Sequence, residues 1–178
     1  MASQLLAELQ THGVAGHAVR VVDFDVKPGV KTNMGDADEW PGIREQVLAA
    51  DIVVVVSPIW MGQLTSVGQR VGERLDAELS ETQADGRPSL FDKVAVVGVV
   101  GNEDGAHHVT SQLFQALNDV GFTIPAQGGT YWNGEAMHKV DYLELRQVPD
   151  VVRAATATVA ANAAHLAAAL ASSAYPRN

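Results

Sequence analysis

Apolar residues recur along the chain with two spacings. Leu5, Leu6 and Leu9 share one side of a helix over residues 2–12, and Gly13 can supply the left-handed residue that ends it. In HAVRVVDF, Val19 and Val21 fall on one side and Arg20 on the other, which predicts an edge strand at residues 19–22. Residues 24–40 are rich in Gly, Pro, Asn and Asp without a period, and a loop of that length is functional or mobile. A short helix follows, with Ile43, Val47 and Leu48 on its buried side and Pro41 in its first turn.

The next elements carry stronger patterns. DIVVVVSP holds an uninterrupted β-branched run from Ile52 to Val56, as expected of a strand buried on both faces of a parallel sheet. Residues 66–79 form a helix with Val67, Val71 and Leu75 in a stripe, beside which Gly68 and Gly72 would let the backbone approach a sheet. Residues 93–100 make a second buried strand, and residues 106–120 a helix with Val109, Leu113 and Leu117 on one face. GFTIPAQ predicts a short strand near an edge, because Pro125 would interrupt pairing. Residues 149–170 make a long Ala-rich helix with Val152, Ala155, Val159, Leu166 and Leu170 on one stripe. Strands alternating with helices predict an α/β fold with a doubly wound parallel sheet, in one domain over residues 1–178.

Composition then narrows the function classes. The 178 residues are 47% hydrophobic, enough for a packed core. The net charge is −9 and the basic residues are scattered, so no stripe is available to neutralise nucleic-acid phosphates. Without cysteine, disulfides, thiolate catalysis and Cys-bound metal are excluded. No apolar run approaches the ~20 residues of a membrane span, and no basic segment opens the chain, so a cytoplasmic protein without membrane or nucleic-acid partners is expected.

In such folds ligands sit beyond the carboxyl ends of the strands. The loops there are SPIWMGQLTS, GNEDGAHH and GGTYWNGEAM, and their glycines and aromatics suit a flat, polarisable ligand. Glu103 and Asp104 would repel a phosphate, whereas a helix N-terminus favours acids. Other chemistries fit less well. His107 and His108 are adjacent on a helix, point about 100° apart and have no HExxH or cysteine beside them, so no metal site is expected. GDADEW lacks the glycine and closing Glu of a calcium loop and is expected to be a solvated entry to a helix. Ser57 follows a strand but lacks the G-x-S-x-G elbow, and it stands where a phospho-receiver domain needs Asp. Trp60, Tyr131 and Trp132 suit ligand or dimer contact as well as plain packing.

VVVVSPIWMGQLTS, GVVGNEDGAHH and PAQGGTYWNGEA together resemble the flavodoxin-like family of FMN-dependent NAD(P)H oxidoreductases. The resemblance implies that Ser57, Pro58, Ile59, Trp60 and Gly62 flank one side of the flavin ring. It implies that Gly101, Asn102, Glu103, Asp104 and Gly105 close the other. It also implies FMN as cofactor, NAD(P)H as reductant, a small acceptor such as a quinone or free flavin, and a homodimer that buries the Tyr131–Trp132 region. No side chain stands out as a general acid or base, and hydride transfer through a flavin needs none.

The family's phosphate loop follows a first, central strand that this chain lacks, since residue 1 already opens the first helix. A gap is therefore expected between residues 19–22 and 52–56, and the phosphate contacts match no residue here. A flavin-free, non-enzymatic domain that acts through self-association or protein contacts is the alternative.

Overall fold

The computed structural model describes residues 1–135 and 137–176. The sheet is built on β1 (Ile52–Trp60), β3 (Val94–Gly101) and β4 (Gly129–Asn133), which run parallel, with the two-residue β2 (Gln63–Leu64) folded back antiparallel on the end of β1. The strand order is β2-β1-β3-β4. Helices cover both faces. On one lie α1 (Ala2–Thr11) and α5 (Asp150–Ser172), where Leu5, Leu9, Val159 and Ala163 pack on Val94 and Val96. On the other lie α2 (Trp40–Ala49), α3 (Ser66–Leu75) and α4 (Ala106–Asp119), where Ile43, Leu75, Val109 and Leu113 pack on Ala95, Val97 and Val99. Alternate residues of β3 thus serve opposite cores, which is why that segment is apolar without interruption. This is the flavodoxin-like, doubly wound α/β arrangement.

Several local expectations need correction. Residues 19–22 form no strand; a short 3-10 turn spans Val21–Asp23 instead, and Val19 and Val21 merely pack on the core. A strand needs a ladder partner, and no strand of the described residues lies beside this segment. GFTIPAQ gives a single bridge, Thr123 to Val94. Past Pro125 and the left-handed Gln127 the chain re-enters the sheet as β4. β1 does not stop at Val56 but runs through Pro58 to Trp60. Gly68 does abut the sheet, at the Leu64 side chain of β2, whereas a Cβ on Gly72 would meet nothing within 4 Å.

The long segment before α2 is anchored, not solvated throughout. Arg74, at the end of α3 with a fully enclosed side chain, donates to the carbonyls of Lys27 and Lys31 and pairs with Asp38 at 2.8 Å. Its guanidinium also lies 5.5 Å from the centre of the Trp40 ring. By length and composition α5 could cross a bilayer, at 23 residues with an 18-residue stretch of mean hydropathy 1.3. Its Val152, Val159, Ala160, Ala163 and Leu170 are instead packed against the rest of the chain.

Candidate functional site

Because β1 and β3 are parallel neighbours, the segments leaving their carboxyl ends must meet. The first contact is apolar. Ile59 points into the core at 4% exposure, and a Cβ on Gly101 would fall 2.7 Å from its Cδ1, so only glycine lets the two strand ends close up. β1 then reverses through Met61 and Gly62, at φ 53° and 72°, into β2, with Trp60 opposite Gln63. Two left-handed central residues make a tight two-residue hairpin that matches strand twist. Trp60 is left 66% exposed at its tip.

The hairpin rests on the β3–α4 loop. Gly62 meets Gly105 backbone to backbone. The Met61 N–H donates to Glu103 Oε1 at 2.9 Å, His108 Nε2 pairs with Gln63 Oε1 at 2.9 Å, and the Leu64 N–H donates to Gln112 Oε1 at 3.4 Å. The segment after β4 joins from the other side. The Gly134 N–H donates to the Gly101 carbonyl at 2.8 Å, and Asn102 Nδ2 donates to Asp141 Oδ1 at 3.0 Å. All three loops therefore converge on residues 101–105.

Within this cluster the candidate residues have distinct surroundings. Ser57 is buried; its hydroxyl donates to the Pro58 carbonyl at 2.9 Å and lies 3.3 Å from Thr65 Oγ1. Thr65 in turn caps α3 by accepting the Gly68 N–H at 3.0 Å. Pro58, Asn102 and Asp104 are exposed, and Glu103 is half-buried. Neither acid lies in the first turn of α4, whose cap is Gly105 at φ 129°; Asp104 instead accepts the N–H of Gly105 at 2.7 Å. His107 stands edge-on to Tyr131 at 5.0 Å while His108 faces Gln63. Trp132 packs inside the chain on Tyr142, with ring centres 5.3 Å apart. Burial raises the Tyr142 hydroxyl above its ordinary pKa, against the opposing bond to Gln4.

Sequence reasoning missed Met61, Thr65, Gln112, Gly134 and Asp141. Methionine does not announce a hairpin turn, and side chains that reach across 48 or 39 positions leave no local pattern. Gly134 sat inside a loop already singled out, and its role is steric: a Cβ there would lie 2.9 Å from Asn102 Cα.

The cluster fits the ring of a flavin. An exposed indole offers a stacking face, and the amides of Gly62, Glu103 and Asp104 meet no acceptor among the described residues, so they are free to bind ring oxygens and nitrogens. The fold and this site define the flavodoxin-like class. Residues 1–138 match the NADPH-dependent FMN reductase family, and the chain belongs to it.

The chain is also similar to two curated proteins and a solved structure. The chain is 32% identical over 145 residues to 8-demethyl-8-aminoriboflavin-5′-phosphate synthase of Streptomyces davaonensis, covering 76% of this chain and 56% of that protein. It is 37% identical over 140 residues to a divalent metal cation transporter, MntH, of Mycobacterium bovis, covering 76% of this chain but 20% of that protein. The chain thus spans about a fifth and about half of the length of these curated relatives. The crystal structure of RosB with bound intermediate OHC-RP (8-demethyl-8-formylriboflavin-5′-phosphate) superposes with a TM-score of 0.88 at 28% identity, over 98% of this chain and 73% of that one.

Proposed function

We propose that the three-loop cluster holds FMN by its ring and that the protein is an FMN-dependent oxidoreductase. Reducing equivalents come from NADH or NADPH and pass to a small acceptor such as a quinone or free flavin. The observation that carries this reading is the exposed Trp60 on the same turn-and-loop cluster as the amides of Gly62, Glu103 and Asp104, which no described residue pairs, at the ends of neighbouring parallel strands. When bound, FMN supplies the redox chemistry between nicotinamide and acceptor. The chain's part is to stack on the ring through Trp60, bind its polar edge through backbone amides, and exclude water from one side with the buried Ile59–Gly101 contact. Exposed Tyr131 and, on the segment after β4, Met137 and Leu143 support a second copy covering the open side. FMN titration is the test: quenching of Trp60 fluorescence and flavin-dependent oxidation of NADH or NADPH are expected, and a chain that neither binds flavin nor oxidises nicotinamide defeats the proposal.

A second reading makes the flavin a reactant rather than a cofactor. It is favoured by the relative named for making an aminoriboflavin phosphate and by the RosB structure, which holds a formylated riboflavin phosphate. Mass spectrometry of the flavin recovered after turnover separates the two: an unaltered flavin supports the cofactor role, a modified one the second reading.

A further inference from the structure

The loop acids at 103 and 104 look alike in the sequence and differ in the structure. Asp104 bonds its own neighbour, Gly105, whereas Glu103 reaches 42 positions back to the Met61 amide. Met61 is 88% exposed and sits at φ 53°, a conformation that L-residues other than Asn and Asp avoid. Among the described residues, no other side chain bonds Met61 or Gly62; His108 and Gln112 hold only the β2 side of the hairpin. The Gly62–Gly105 contact brings the loops close but has no direction. A side-chain oxygen that accepts from an amide has one.

We infer that Glu103 is a positioning residue: its side-chain oxygen latches the Met61–Gly62 turn and so fixes how Trp60 is presented at the edge of the three-loop cluster. The latch rests on geometry alone, and its consequence for ligand rests on the flavin reading above. The turn has two ways to move, because among the described residues no aromatic ring packs on Trp60 and Gly62 carries no side chain. Holding the amide of the residue between them restricts both at once. The free amides of Gly62, Glu103 and Asp104 then keep a constant spacing, as preorganised binding requires.

The test compares Glu103→Ala, which removes the acceptor, with Glu103→Gln, which keeps a carbonyl at the same reach. In the ligand-free protein, amide hydrogen exchange at Met61 is expected to rise about tenfold or more in E103A and to stay within about threefold of the parent in E103Q. FMN affinity is expected to fall about tenfold in E103A and to be largely restored in E103Q. Thermal melts on both variants confirm folding, and should E103A fail to fold, E103Q and the shorter Glu103→Asp carry the comparison, with E103D behaving as the broken latch. Unchanged exchange at Met61 in the acceptor-free variant overturns the latch. Faster exchange with unchanged FMN affinity overturns its positioning role. E103Q as impaired as E103A shows that charge, not the acceptor, matters, and overturns it too. A parent that binds no flavin defeats the functional reading separately, and the exchange measurement then decides the latch by itself.

Discussion

Gly62 and Gly105 touch through their backbones: a Cβ placed on Gly105 would lie 2.8 Å from both the Cα and the carbonyl oxygen of Gly62. Two loops that leave neighbouring strands are thereby brought closer than a side chain at position 105 would allow. Gly105 also holds φ 129°, a conformation closed to L-residues. The contact satisfies two demands at once, since the same glycine starts α4 and seats the hairpin.

Gly105→Val should therefore separate the loops rather than fill a space. The strained backbone costs about 1–3 kcal/mol, and the displaced hairpin takes Trp60 and the Gly62 amide with it. Flavin affinity should fall at least about tenfold while the strands and helices, held by cores away from the loops, remain formed. Isothermal titration with FMN, alongside circular dichroism, measures both. Binding at parental strength would place the ligand elsewhere.

Trp60→Ala should separate binding from stability. The indole is largely exposed, so its removal should change stability by less than about 0.5 kcal/mol. Loss of a stacking face should weaken flavin binding by about 1 kcal/mol, with Trp60→Phe in between. Urea melts and fluorescence titrations on the pair give the two quantities, and equal FMN affinity in all three proteins would rule out stacking on this residue.

The readable parts of the fold were those in which burial repeats along the chain. Val94 to Val99 serve two cores in alternation, and Val109, Leu113 and Leu117 recur at helical spacing, so periodicity sufficed. The strand at residues 19–22 failed because alternation records which side is buried, not whether a neighbour exists to complete a ladder. The β-branched run ends at Val56, so the pattern gives no sign that β1 continues through Pro58 to Trp60. The ladder explains why Pro58 does not break the strand: it belongs to the residues whose N–H faces away from β3. At the site, the glycines and Trp60 were legible as types. The partner of Glu103 was not, because a helix-start acid and an acid that reaches across the chain have the same sequence.

Asp38 and Arg74 give a pH prediction. Burial alone would raise the Asp38 carboxyl. Hydrogen bonds from the Met34 amide, the Arg74 guanidinium and the Lys27 and Trp40 amides outweigh it and hold the group at about 2, below its ordinary 3.8. A depressed carboxyl stabilises the fold in full above the unfolded value and loses that contribution as pH falls through the folded one. Stability should thus drop by about 2 kcal/mol between roughly pH 4 and pH 2. Asp38→Asn should cost about 3–5 kcal/mol at neutral pH, because Arg74 is left buried without its counter-charge. The acid limb from this group should then vanish. Chemical denaturation at a series of pH values tests both, and an unchanged acid limb in the variant would assign it to other carboxyls.

The outer edge of β1 offers the remaining prediction. Asp51 accepts the Val94 N–H at 2.9 Å, so the residues in step with it, Val53 and Val55, turn their amides and carbonyls toward β3. Ile52, Val54 and Val56 turn theirs the other way, where no strand of the described residues pairs with them before β2 joins at Ile59 and Trp60. Their side chains are half-buried, so the edge is open in its backbone more than in its side chains. Amide exchange should therefore alternate along β1, slow at Val53 and Val55 and at least about a hundredfold faster at Val54 and Val56. Proline substitution should follow the same alternation. Val55→Pro removes a ladder bond within the sheet and should cost about 3 kcal/mol or more, whereas Val54→Pro removes an amide that no strand of the described residues pairs and should cost at least about 1 kcal/mol less. An unpaired edge also invites pairing with a further strand. Any association through it should be abolished by Val54→Pro at concentrations where the parent associates, as sedimentation velocity would report. Uniform protection along residues 52–56 would mean that this edge is covered in solution.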